Sequence, residues 1–256
     1  MAAKVLLYSG TTAAKAPKQP DHAETFRQIG KEHPLWGHEL IKRCRSGRLT
    51  LTEVRTLGAQ MYKFSREFSR YLAKALAVCP HEEARVVIAE NLWEELGEGD
   101  AKRAHPVLFR RFTRAIGIDD ARLEQIPAEP ETKALIDTYL GFPEKYGVLG
   151  ALGAICYASE GIVGALYSQI ERGLVRSVSF KKEDLIFFDL HIHVDNDHAD
   201  QLESVITPLL RTPKDYEIVS NAIREGLDAR YHFFGGVLRA AAARKARTPR
   251  NWRAAS

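Results

Sequence analysis

One stretch of the sequence constrains the fold more than any other, the apolar segment VLGALGAICYASEGIVGALYSQI at residues 148–170. As a helix it is long enough to cross a bilayer, and its one charge, Glu160, lies near its middle. Lys145 and Arg172 are sparse flanking anchors for an isolated span, and the sequence has no second stretch of this kind. We therefore predict no membrane association and interpret the segment as the central helix of a bundle, surrounded by other helices.

In this interpretation Glu160 is a carboxylate in the protein interior. Burying an unpaired carboxylate costs several kcal/mol, so the group must be protonated, ion-paired or bound to a metal ion. A charged side chain in the middle of a core helix is therefore the first indication of chemistry in this chain.

The rest of the chain has the periodicity of helices and no useful β alternation. Apolar residues recur at three- and four-residue steps, for example at Leu57, Met61, Phe64 and Phe68. Glycine, proline and capping residues delimit helices at about residues 34–46, 50–78, 82–96, 106–116, 131–141, 148–172, 181–206 and 214–245. The pattern predicts an all-α protein, with one bundle of about seven to eight helices at residues 21–238 and a disordered segment at residues 1–20.

The net charge of +4 is distributed unevenly. Residues 239–256 carry six basic groups and residues 1–20 carry three, with no acid in either, so the body between them has a net charge of about −5. We interpret residues 239–256 as a basic C-terminal tail, and the acidic body disfavours nucleic acid as a partner. Three cysteines far apart do not fit a disulfide scaffold, and the apolar run at residues 5–8 is too short for a signal peptide, so we expect a cytoplasmic protein.

The most informative motif is DLHIHVDNDHADQL at residues 189–202. On a helix that turns about 100° per residue, His191, Asp195 and His198 project from one narrow face. Two imidazoles and a carboxylate in this register form a donor set that suits iron or manganese. A polar helix face with structural histidines is the competing interpretation.

A second cluster is NLWEELGEGDAKRAH at residues 91–105. Glu94 and Glu95 end one predicted helix, and His105 precedes the proline that begins the next. Taken alone, the cluster is typical of a solvated helix end, and either glutamate could be the ligand. Combined with the interior glutamate and the first motif, it completes a set of donors sufficient for two metal ions in a helical bundle: Glu95, His105, Glu160, His191, Asp195 and His198, with Glu94 as a further candidate.

These residues resemble the motifs of the haem-oxygenase-like di-iron oxygenases, which share their helical fold with TenA-type thiaminases and with the PqqC oxidase of cofactor biosynthesis. In that family a Glu and a His come from the region of the third helix, and a second Glu precedes a final HxxxDxxH by about thirty residues. Here Glu160 precedes His191 by 31 residues. The resemblance extends over about residues 35–235 and implies a TenA/PqqC-like bundle, although TenA and PqqC themselves lack this metal set.

The resemblance implies a non-haem di-iron oxygenase or oxidase with two Fe(II) ions, O2 as co-substrate, a peroxo-di-iron intermediate and an external reductant. Family members oxidise a small amine- or carboxylate-bearing metabolite in biosynthesis, by N-oxygenation or by oxidative C–C cleavage. A redox partner and a homodimer are compatible with this function. One branch makes 4-aminobenzoate at its own expense and carries a Tyr beside the second ligand Glu and a Lys a few turns later. Ser159 and Ile170 occupy those places here, which disfavours that branch.

Three further residues of the predicted helix at 50–78 are candidates for the site. Glu67 is a candidate extra metal ligand, because N-oxygenating family members recruit a carboxylate from a neighbouring helix. Lys63 and Arg66 are candidates for binding a substrate carboxylate. For all three, a solvated helix face is the competing interpretation.

Two other functions remain open from the sequence. A metal-free enzyme of the TenA or PqqC kind would need a nucleophilic cysteine, for which Cys156, one turn before Glu160, is the best placed. A non-catalytic helical protein could instead use its basic C-terminal tail to bind an anionic partner.

Overall fold

The computed structural model describes residues 22–193 and 195–247, without the side chains of residues 193, 195, 196 and 247. Within these residues no strand is present, which confirms the all-α prediction. The described ranges contain twelve α-helices: α1 (His22–Glu32), α2 (Glu39–Ser46), α3 (Leu51–Ser65), α4 (Phe68–Val78), α5 (Glu82–Glu95), α6 (His105–Ala115), α7 (Asp120–Gln125), α8 (Pro130–Ile155), α9 (Gly161–Ser177), α10 (Ile186–His193), α11 (Asp195–Ile206) and α12 (Pro213–Arg247).

The predicted helices are present, but three of them are divided. The helix predicted at 50–78 is α3 and α4, because a tight turn interrupts it, in which the Glu67 N–H bonds to the Phe64 carbonyl three residues back. The helix predicted at 181–206 is a short 3₁₀ turn followed by α10 and α11. His191 and His198 therefore lie on consecutive helices rather than on one.

The apolar segment at 148–170 lies in the core, as predicted. It comprises the end of α8, a π-helical turn at Cys156–Glu160 and the start of α9. The helical stretch Pro130–Ser177 is apolar enough to cross a membrane, but 72% of its most apolar window is buried in the protein. Packing against α12, α2, α10 and α4 surrounds α8 and α9 with other helices, which is the arrangement expected of a bundle core.

The last helix extends into the predicted basic tail. Helix α12 continues past residue 239 to Arg247. Two ion pairs hold this part of the helix against the start of α8: Arg239 pairs with Glu131, and Arg244 pairs with Glu129. The distance from Arg244 Nη2 to Glu129 Oε1 is 2.9 Å. Residues 239–247 are thus part of the helical body. The predicted segment at 1–20 and residues 248–256 lie outside the described residues.

Candidate metal centre

Three of the predicted ligands converge in the interior. Glu95 at the end of α5, His105 at the start of α6 and His191 on α10 are all buried, and each offers a ligand atom within 4.8 Å of the other two. The His105 and His191 rings are 4.7 Å apart between centroids. The three side chains come from three helices, so the cluster forms only when the bundle is assembled.

The loop between α5 and α6 brings His105 back to Glu95. Its residues Gly97, Glu98 and Gly99 all have positive φ, at 88°, 55° and 87°. A Cβ on Gly97 would lie 2.4 Å from the Asp100 carbonyl oxygen and 2.5 Å from the Ala104 nitrogen. Only glycine fits this tight reversal, which explains the LGEGD sequence between the two ligands.

The electrostatics of the cluster favour an ionised Glu95 and a neutral His191. Burial is the largest single influence and opposes ionisation of Glu95, but the combined effect of His105, His191 and His198 outweighs it and lowers the pKa of Glu95. Burial is the main cause, and the neighbouring His105 the second, of the lowered pKa of His191, which is about 4. Burial alone would lower the pKa of His105, and the Glu95 charge raises it instead. At neutral pH His191 therefore keeps a free lone pair.

The hydrogen bonds of the cluster leave nitrogen lone pairs available to bind a metal ion. His191 Nδ1 lies 2.6 Å from the Phe187 carbonyl, which can only accept, so Nδ1 carries the proton and Nε2 is left for the metal. His105 Nδ1 lies 2.8 Å from Glu95 Oε2 but lacks the alignment of a hydrogen bond. Two buried imidazoles and a buried carboxylate fit Fe(II) or Mn(II).

The other predicted ligands lie around this cluster. Glu160, in the π-helical turn, lines the same cavity as Glu95 and His191. His198 is buried, with Nε2 2.5 Å from Glu94 Oε2, and its Nδ1 makes no hydrogen bond within the described residues. Glu94, His105 and His198 line a second pocket. Glu95 therefore borders the first cavity and Glu94 borders the second pocket. The side chain of Asp195 lies outside the described residues.

The candidates on α3 and at the start of α4 lie elsewhere. Glu67 pairs with Arg66 and Arg70, at 3.3 Å and 2.5 Å, and does not line the cavity. The Lys63 ammonium donates to the Leu123 carbonyl at 2.9 Å, and Arg66 pairs with Glu124 at 2.7 Å. These cations hold the end of α7 against α3.

Arg230 and Ser159 line the cavity, although the sequence did not identify either of them as a binding residue. Arg230, on α12, is buried and donates from Nη2 to Ser159 Oγ at 2.9 Å. No local motif marks Arg230, because one arginine among the many polar residues of a long helix has no signature until the helix is packed.

Cys156 lines a different pocket from the one that holds the cluster. Its Sγ lies 3.4 Å from the Ala199 carbonyl, beside Tyr157 and Trp36. Burial raises the pKa of the thiol well above its ordinary value. A protonated thiol that does not line the central cavity is a poor nucleophile for a reaction there, which argues against the cysteine-dependent alternative.

Comparisons with known proteins identify the family of this chain. A family model described as "Iron-containing redox enzyme" matches residues 55–231, more than half of the chain. A 4-aminobenzoate synthase of Nitrosomonas europaea is 26% identical over 224 residues, covering 83% of this chain and 91% of that protein. The 4-aminobenzoate synthase of Chlamydia muridarum is 25% identical over 211 residues, covering 82% and 86%.

Solved structures match the fold. A TenA homologue from Pseudomonas syringae pv. tomato superposes with a TM-score of 0.72 at 18% identity, covering 91% of this chain and 99% of the other. A domain from Shewanella denitrificans with a haem-oxygenase-like fold gives 0.70 at 15% identity, covering 89% and 93%. With this fold, a match over residues 55–231 and a buried cluster of metal-binding side chains, the chain is an oxidoreductase that belongs to the family of iron-containing redox enzymes.

Proposed function

We propose that the protein is a non-haem di-iron oxygenase or oxidase that uses O2 to oxidise a small metabolite in biosynthesis. The observation that carries the proposal is the buried triad of Glu95, His105 and His191, whose ligand atoms lie within 4.8 Å of one another. Two Fe(II) ions would supply reduction of O2, with electrons from an external reductant.

The proposed ligands divide between two pockets that residues of the triad also line. Glu160 lines the cavity with Glu95 and His191, and His198 and Glu94 line the pocket with His105. Six donors from the predicted set, including Asp195, would suffice for two metal ions, with Glu94 as an additional carboxylate. Manganese prefers similar ligands, so the experiment must also identify which metal binds.

The residues of the cavity that Glu95, Glu160 and His191 line would bind and shield the substrate. Phe64, Phe68, Val163 and Tyr167 form its apolar walls. Apolar walls exclude water and strengthen electrostatic interactions inside the cavity. Glu95 and His191 border the same space, so a bound molecule would contact the ligand side chains directly.

Anaerobic reconstitution with Fe(II), followed by metal counting and then O2 uptake, tests the proposal. We expect close to two irons per chain and iron-dependent O2 consumption in the wild type, and loss of both in His191→Ala. The matched control is His232→Ala, which removes an exposed histidine of α12 and should retain two irons. A folded wild-type protein that binds no iron, or a His191→Ala variant that keeps two, would overturn the proposal.

A second candidate activity is 4-aminobenzoate synthesis, which the names of the curated relatives favour. Tyr167 borders the cavity, with its ring centroid 5.6 Å from that of His191, so a tyrosine is present at the site. Ser159 and Ile170 depart from the pattern of that branch, and Ile170 is fully buried away from the cavity.

Expression in a bacterial strain that requires 4-aminobenzoate separates the two activities. Growth without the supplement, together with a lower mass of the intact chain after turnover, would support self-sacrificing synthesis. No growth, with an unchanged chain that consumes O2, would leave oxidation of an external metabolite.

A further inference from the structure

Arg230 is a buried cation on the wall of the cavity that Glu95, Glu160 and His191 also line. It is 5% exposed, its Nη2 donates to the neutral Ser159 hydroxyl, and its guanidinium carbon lies 4.9 Å from the Phe64 ring centroid. Nε is buried and makes no hydrogen bond within residues 22–193 and 195–247. In that same part of the chain no salt bridge reaches Arg230.

This arrangement is costly unless an anion completes it. An arginine side chain stays protonated at every relevant pH, and a buried charge without a counter-ion is strongly unfavourable. Other partly buried arginines in the described chain have carboxylate partners, for example Arg27 with Glu203 and Arg244 with Glu129. Arg230 instead faces a cavity.

The cavity gives the missing anion a chemical character. Arg230, Ser159 and Ser65 border it together with Glu95, Glu160 and His191, and four apolar or aromatic side chains complete the wall: Phe64, Phe68, Val163 and Tyr167. The planar guanidinium matches a carboxylate, which can accept two parallel hydrogen bonds.

We propose that Arg230, oriented by Ser159, binds the carboxylate of a small substrate with an apolar body, and so directs its other end toward Glu95 and His191. The proposal rests on the proposed function, and it moves the carboxylate site from Lys63 and Arg66 to α12. Ser159 is a positioning residue: its Oγ accepts from Arg230 Nη2 at 2.9 Å and donates to the Tyr139 hydroxyl at 3.3 Å, which itself donates to the Ala158 carbonyl at 3.1 Å.

Calorimetric titration with benzoate, and with benzamide as its neutral isostere, tests the anchor without any turnover. Both probes are added to the full-length chain under anaerobic conditions, once with Fe(II) and once with metal removed. We expect the wild type to bind benzoate at least about ten-fold more tightly than benzamide, because a charge-assisted pair is lost with the neutral probe. Arg230→Gln should abolish the preference, and Ser159→Ala should reduce it. Arg239→Gln, which changes an exposed, ion-paired arginine of the same helix, should preserve it.

Equal binding of the two probes by the wild type overturns the proposal, and this comparison does not depend on whether any variant folds. A preference for benzoate that persists in folded Arg230→Gln also overturns the proposal, since the carboxylate then binds elsewhere. The same holds for a preference that appears only with iron and is unchanged by the substitution. An Arg230-dependent preference in the metal-free chain supports the anchor even if iron counting contradicts the di-iron proposal, so the two failures are distinguishable.

Discussion

Two buried glutamates, Glu53 and Glu95, are equally hidden from solvent, at 6% and 5% exposed, yet their surroundings differ completely. Glu53 Oε2 accepts from the Thr50 N–H at 2.7 Å and from the Thr50 hydroxyl at 2.8 Å, and Oε1 accepts from Arg43. Glu95 lies near two imidazoles without a well-aligned hydrogen bond to His105. The difference teaches that saturation of hydrogen-bonding capacity, rather than burial, separates a carboxylate that stabilises the fold from one available to a ligand.

The largest expected effect follows from Glu95→Gln. Loss of a residue that only hydrogen-bonds to a metal ligand lowers metal affinity by up to about 100-fold. Glu95→Gln removes a proposed anionic ligand itself, so iron affinity should fall by more than that. The melting temperature of the metal-free protein should change little. Competition with a colorimetric chelator measures the affinity, and Glu53→Gln is the matched control that should keep its iron. Similar iron loss in both variants would contradict the comparison.

Gly97→Ala should damage both the fold and the site. A non-glycine residue at this φ of 88° costs about 1–3 kcal/mol, and the contact of its Cβ with the Asp100 carbonyl adds to that. Urea unfolding measures the loss of stability, and iron counting measures the displacement of His105. Gly141→Ala is the control, since a Cβ there has no neighbour within 4 Å. A fully stable Gly97→Ala protein with two irons would show that the loop does not position the ligand.

Glu53→Gln should lower the free energy of unfolding by about 1–3 kcal/mol, because the substitution leaves buried partners imperfectly satisfied. Burial opposes ionisation of Glu53, but the hydrogen bonds from Thr50 and Arg43 outweigh it and lower the pKa. A lowered pKa stabilises the fold above the unfolded value near 4.5, and that contribution is lost as pH falls through the folded value. Urea unfolding at pH 7 and pH 3 should therefore show a smaller difference between wild type and variant at pH 3. An equal difference at both pH values would exclude this account.

The smallest effect is expected for Arg239→Gln. The Arg239 side chain is 65% exposed where it meets Glu131, and surface ion pairs contribute less than about 1 kcal/mol. Thermal unfolding should shift by a few degrees at most, and iron content and O2 uptake should not change. A loss of function in this variant would favour the alternative in which the basic end of the chain binds a partner.

The sequence predicted the helical bundle and the core helix because both depend on local periodicity. Residues 148–170 are apolar over more than six helical turns, so exposing them to water would be unfavourable and a buried position is expected. The proposed ligands were also visible, because carboxylates and imidazoles in a core helix or at regular spacing are costly without a role. Their roles as ligands remain predictions.

The substrate side of the cavity could not be predicted in the same way. Lys63 and Arg66 look available on a helical wheel, but α7 covers them and takes up their hydrogen bonds. Arg230 is separated from Ser159 by 71 residues, and only the packing of α12 against the π-helical turn brings the two together.

The sequence by itself therefore determined the all-α class, the buried position of Glu160 and the donor types gathered near the centre, since each follows from hydrophobic periodicity and the cost of burying charge. The tertiary structure alone decided which donors meet: Glu95 with His105 and His191, and Glu94 with His198. It also decided that Arg230 faces the cavity. The physical reason is that contacts between helices depend on how the bundle packs, and no local pattern records the distance between side chains on different helices.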